Sequence, residues 1–208
     1  MLKVKRDSLI SAVSLAFLSG ILLSLPWHGF PGWVLFVALI PLLFAEKLCS
    51  EAFLPLTRFL VFWIAFLCWN LISAAWMLQV DVIGGLLIIL INSLFMGMLF
   101  SLFSYIQRKK PAVSGVFILV LLWISYEYFL IHGKPGWPWL LLGNGLGSSV
   151  YMVQWYDRTG GLGGSLWVLI VNILLFRFLS SGIRQQSRLQ FLFSFLSFLL
   201  ILLGPWIG

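Results

Sequence analysis

Between Asp81 and Arg108 the chain carries no charged side chain, and most of the intervening residues are leucine, isoleucine, phenylalanine or methionine. A helix needs about 20 such residues to cross the hydrocarbon of a bilayer. Six further apolar segments accompany this one, and together they predict an all-α membrane protein, a polytopic bundle of about seven transmembrane helices forming a single domain over residues 1–208. The expected spans are roughly 9–25, 33–45, 59–78, 82–106, 112–131, 162–179 and 189–203. The second is short, and Pro41 interrupts it near its inner end; the last is marginal in length. With 62% hydrophobic and 9% charged residues, no soluble domain of this length hides enough apolar surface, so the solvent must be lipid.

The few charges set the orientation. Lys3, Lys5, Arg6, Lys47, Arg58, Arg108, Lys109, Lys110, Arg177, Arg184 and Arg188 share one side if the amino terminus is cytoplasmic, whereas the other side holds only Lys134 and Arg158. Such asymmetry is the positive-inside pattern. It places residues 133–161, between spans five and six, and the carboxyl terminus at Gly208 on the extracytoplasmic side. Attraction of these cations to anionic headgroups accounts for the formal charge of +7 without nucleic acid. The basic start followed by an apolar run resembles a signal peptide, but no small-x-small cleavage site stands out before Pro26 and further spans follow. It reads as a retained first span.

Most polar features have a structural reading beside a functional one. Cys49, expected in a cytoplasmic loop, and Cys68, inside a span, lack metal-ligand spacing and read as a loop thiol and a small core residue. Gly160-Gly161-Leu162-Gly163-Gly164 has no Lys-Ser/Thr and favours close helix packing over phosphate binding. Asn70, Ser73, Asn92, Ser93 and Asn172 are expected to join helices, and Arg177 to snorkel. His28 and His132 lack partners at catalytic or metal spacing, and Asp81, Asp157 and Arg158 read as interfacial charges. Glu127, in Trp123-Ile-Ser-Tyr-Glu-Tyr, is different. An ionisable group at membrane depth is a default functional candidate, and here it meets either a substrate amine or headgroup, or a Tyr or Trp of a neighbouring helix.

Trp27, Trp33, Trp76, Trp137, Trp139 and Trp155 map near the outer face, and an aromatic belt explains most of them. It does not explain Gly136-Trp137-Pro138-Trp139 or the glycines that follow. Rigid and permissive residues alternate there, which implies a structured loop. Leu140–Leu142 is expected to dip into the membrane interface and help form a cleft for an acyl chain.

At this point the residues resemble the membrane domain of apolipoprotein N-acyltransferases. Leu-Pro-Trp-His-Gly-Phe-Pro-Gly-Trp (Leu25–Trp33) separates the first two spans, Pro41-Leu-Leu lies in the second, and Trp76 ends the third. Glu127 is followed by Gly136-Trp-Pro-Trp-Leu, then Gly143, Gln154, Gly160, Gly163 and Asn172, in a pattern similar to the family's. The family often has an arginine three residues after the glutamate, where this chain has Leu130. The resemblance implies two-step acyl transfer without metal or cofactor: a cysteine thiolate takes an acyl group from a phospholipid, and the α-amine of a lipoprotein's diacylglyceryl-cysteine receives it. It also implies that the chemistry resides in a nitrilase-like domain with a Glu-Lys-Cys triad following the seventh span. That domain is expected to be absent, because the sequence stops at Gly208, so a separate nitrilase-like catalytic domain becomes a candidate partner. No nucleophile, base or oxyanion site can be assembled from the residues present, and no catalytic residue is expected. The implied roles are lipid and substrate contact in the inner membrane of a bacterium, with Trp76, Glu127, Gly136, Trp137, Pro138, Trp139, Asn144 and Gln154 as candidates. A stand-alone lipid-binding scaffold remains an alternative. A small transporter is disfavoured by the lack of an internal repeat.

Overall fold

A computed structural model of the chain describes residues 2–49, 53–109, 114–134 and 136–181, and every regular element in it is helical. The long helices are α1 (Leu2–Ser24), α4 (Pro55–Ala74), α6 (Val82–Lys109), α7 (Ser114–His132) and α8 (Tyr156–Ser181). Two shorter pieces, α2 (Leu35–Ala38) and α3 (Ile40–Cys49), form one broken span, and α5 (Met77–Val80) is a single turn before α6. Five stretches are long and apolar enough to cross a membrane: Arg6–His28, Gly32–Cys49, Pro55–Ala74, Val82–Lys109 and Tyr156–Ser180. A sixth, Phe117–His132, is shorter. The chain is a multi-pass membrane protein. The expected seventh span at 189–203, the terminal Gly208 and the cations Lys110, Arg184 and Arg188 lie outside the described residues.

The second span shows how a broken helix survives in lipid. Pro41 has no N–H and cannot continue the ladder back into α2. The break falls at Leu39, and its freed groups find side chains instead. Leu39 N donates to Asn172 Oδ1 at 2.9 Å, and Asn172 Nδ2 donates to Leu35 O at 2.7 Å. The amide of Asn172 thus bridges Leu39 N and Leu35 O at the break. Ser19 Oγ of α1 donates to Ala38 O at 2.5 Å. The span also runs beyond the expected end at 45, because Glu46 turns inward to accept a hydrogen bond from Ser104 Oγ at 2.8 Å. Cys49 is therefore the last residue of α3 and fully buried, not the loop thiol expected from sequence.

Aromatic rings fill the centre. Phe62 of α4 meets Phe100 of α6 at 5.0 Å, and Phe66 meets Trp123 of α7 at 5.4 Å. Amides join the same three helices: Asn92 Nδ2 donates to Asn70 Oδ1 at 2.7 Å, and Tyr126 Oη donates to Asn92 Oδ1. Large apolar side chains such as Phe17, Leu87, Phe95, Phe117 and Leu121 point outward, as lipid contact requires.

Candidate functional site

The last turns of α7 and the first turns of α8 are joined by a segment folded as successive 3-10 turns, Pro138–Leu140, Leu142–Ser148 and Val150–Met152. Such turns leave many backbone groups without regular partners, and side chains of the bundle satisfy several of them. Glu127 Oε1 accepts from Leu142 N at 2.7 Å and from Trp123 Nε1 at 2.9 Å. Gly143 N donates to Ser165 Oγ at 2.8 Å, and Gly143 O accepts from Tyr156 Oη at 2.7 Å. Gly32 N donates to Ser149 Oγ at 3.0 Å, tying the segment to the turn between α1 and α2.

Glycine makes this docking possible at one contact. A Cβ on Gly143 would lie 1.9 Å from Gly161 O, and one on Gly164 would lie 1.7 Å from Tyr156 Oη and 3.0 Å from Gly143 Cα. The glycine run of α8 is a packing surface, but what packs on it is the loop rather than the neighbouring helix expected from sequence. Gly160, at φ 62°, kinks α8, so a first turn from Tyr156 precedes the expected span.

Glu127 is fully buried, with Ser165 beside its carboxyl group. Its second oxygen, Oε2, has no hydrogen-bond partner among the described residues. Leu140, Leu141 and Leu142 are also buried, at 2%, 3% and 0% exposure. The expectation that they dip into the membrane interface is overturned. The Glu127–Leu142 bond draws this stretch into the protein core.

The remaining candidates lie nearer the surface. Trp76, in the turn between α4 and α5, meets Trp139 edge-on with centroids 5.9 Å apart, and both are about half exposed. Trp137 is half-buried, with its ring 6.4 Å from Trp139. Gly136 and Pro138 are exposed beside them. Asn144 is exposed and donates from Nδ2 to Pro138 O at 2.7 Å, closing the Trp139 turn. Gln154, also exposed, donates to Val150 O at 2.9 Å. The structure thus brings Trp76, Trp137, Trp139 and Asn144 into one cluster and sets Glu127 behind them, while Gln154 serves its own turn. Trp27 and Trp155 face inward, against Trp69 and Trp167 respectively.

Ser165, Tyr156 and Ser149 escaped the sequence reading. Each is an ordinary polar residue whose role appears only when the loop folds onto it. Leu130, at the position of the family's frequent arginine, is buried and contributes its carbonyl to Trp137 N at 2.8 Å. Among the described residues no group of three His, Cys, Asp or Glu is placed to hold a metal ion.

The family model described as apolipoprotein N-acyltransferase N-terminal domain matches residues 19–174, a stretch that takes in Ser19, the loop and Asn172. The chain is similar to an apolipoprotein N-acyltransferase of Chlorobaculum tepidum, 30% identical over 168 residues, which covers 77% of this chain and 30% of that protein. A protein of the same name from Geobacter metallireducens is 27% identical over 176 residues, covering 78% of this chain and 32% of its own. The chain therefore spans about a third of the length of the curated relatives it matches. No solved structure matches it.

Proposed function

Because the chain belongs to the apolipoprotein N-acyltransferase N-terminal domain family, we propose that it is the membrane part of a lipoprotein N-acyltransferase. The reaction it serves transfers an acyl chain from a phospholipid to the α-amine of a diacylglyceryl-cysteine on a bacterial lipoprotein. A nitrilase-like domain supplies the nucleophile, base and oxyanion site. Cys49 and Cys68 are both buried within helices and do not fill the first role.

The chain's own share is positional. It sits in the inner membrane with seven spans, its amino terminus in the cytoplasm, and its folded loop and carboxyl terminus on the opposite side. Trp76, Trp137 and Trp139 contact the acyl chains of lipid substrates, with Gly136 and Pro138 shaping that edge. Asn144 and Gln154 face the headgroups, and Glu127 holds the loop from behind.

The observation that carries this reading is the exposed pair of Trp139, on a loop fixed from within, and Trp76, in the turn before α5. Amphipathic rings at such a boundary suit the headgroup level, and the fixed backbone gives them a defined place. The test is photocrosslinking in reconstituted membranes, with a phospholipid carrying a diazirine high on one acyl chain. Adducts should concentrate on residues 136–154 and the turn at Trp76, and Trp139→Ala should deplete them. Labelling spread evenly over the lipid-facing helices would sink the proposal.

A further inference from the structure

At the end of the bundle away from the folded loop, a cleft of about 360 Å³ opens between the ends of α3, α6, α7 and α8. Small-ligand sites begin at about 300 Å³. Three cations from three helices line it: Lys47, Arg108 and Arg177. Among the described lining residues Glu46 is the single carboxylate; it is only 6% exposed and is engaged by Ser104. The guanidinium of Arg108 is held in place by Ser104, through Nε to the carbonyl at 3.0 Å and a terminal nitrogen to Oγ at 2.9 Å. Three cations and one carboxylate thus stand together among the described lining residues.

The rest of the lining has a different character. Phe103, Leu119 and Phe176 give it an apolar floor. Gln107 also contributes, and its buried Oε1 has no partner among the described residues. Cations beside an apolar floor, with an acceptor awaiting a hydroxyl, match one chemistry in a membrane: an anionic glycerophospholipid. Basic pockets between transmembrane helices bind such headgroups.

We propose that this cleft holds an anionic phospholipid, its phosphodiester against Lys47, Arg108 and Arg177, its headgroup hydroxyl at Gln107 and the start of an acyl chain on Phe103, Leu119 and Phe176. This lipid is bound, not consumed, and lies at the opposite end from the acyl-donor contacts. The inference rests on the membrane fold and stands whether or not acyl transfer is the function.

The purified chain is to be reconstituted in phosphatidylcholine nanodiscs with and without phosphatidylglycerol, then released for native mass spectrometry and thermal melting. Phosphatidylglycerol should remain bound and raise the melting temperature. Lys47→Gln with Arg177→Gln should lower retention at least tenfold, whereas Lys109→Gln with Lys134→Gln, which removes equal charge elsewhere, should leave it intact. Equal loss from both pairs, or from neither, overturns the proposal. So does an equal thermal shift from glycerol phosphate or inorganic phosphate, which would mark a free-anion site. A diazirine-bearing phosphatidylglycerol supplies a readout on the unaltered protein. Adducts at Phe103, Leu119 or Phe176 support the site, and adducts confined to other faces reject it.

Discussion

The side chain of Glu127 accepts the backbone N–H of Leu142 at 2.7 Å, across 15 residues of chain. Through this bond a helix end deep in the bundle fixes where the loop turns inward. The same oxygen takes Trp123 Nε1, so the acceptor is shared between helix and loop.

Truncating Glu127 leaves two buried donors unpaired, each costing about 1–3 kcal/mol. Glu127→Ala is expected to lower the melting temperature clearly and to open residues 136–154 to protease. Glu127→Gln keeps one acceptor oxygen and should retain most of both properties. Thermal melting in detergent and limited proteolysis compare them, and equal behaviour of the two variants would refute the acceptor role.

Asn172→Leu removes both partners of the break in the second span. Leu39 N and Leu35 O then lose the side chain that bonds both in a dry interior, at a cost of up to about 1–3 kcal/mol each. The expected result is a large loss of stability, read by denaturation in mixed micelles. Asn172→Asp retains the acceptor but loses the donor and should fall between.

Gly143→Ala places a methyl group 1.9 Å from Gly161 O, where backbone must move. Overpacking of this kind costs about 1–3 kcal/mol or more. Gly147→Ala meets nothing within 4 Å and should stay within about 0.5 kcal/mol of the parent. A matched pair of melting curves decides the point, and an unchanged Gly143→Ala would mean that the loop does not dock on α8.

Trp139→Ala should reduce phospholipid photolabelling more than it reduces stability, because Trp139 is more than half exposed. Its contact with Trp76 contributes about 0.5–1.5 kcal/mol beyond area, which a double-mutant cycle measures. Unaltered labelling at normal protein levels would leave Trp139 as part of a generic aromatic belt.

A cysteine at Ser148, in a chain with Cys49→Ala and Cys68→Ala, tests orientation. An impermeant maleimide added outside intact bacteria should label Ser148→Cys. Labelling that requires disruption of the inner membrane would reverse the proposed topology.

Hydropathy made the long spans legible, since an uncharged run such as that before Arg108 admits little else. The helix-joining roles of Asn70 and Asn92 followed from the cost of polar groups in lipid. The inward course of Leu140–Leu142 was not legible, because three leucines read alike whether they face lipid or protein. What distinguishes them is Glu127, whose direction depends on the rotation of α7. The extent of the second span was hidden for a similar reason: Glu46 looks like a boundary charge until Ser104, 58 residues away, supplies its partner.

The broken second span has a consequence for how the protein is made. Leu39 depends on a residue 133 positions later in the chain, so the second span enters the membrane long before Asn172 has been synthesised. During that interval Leu39 N and Leu35 O lack the side chain that joins them in the folded protein. Only when α8 has been made can the amide of Asn172 close the break between α2 and α3.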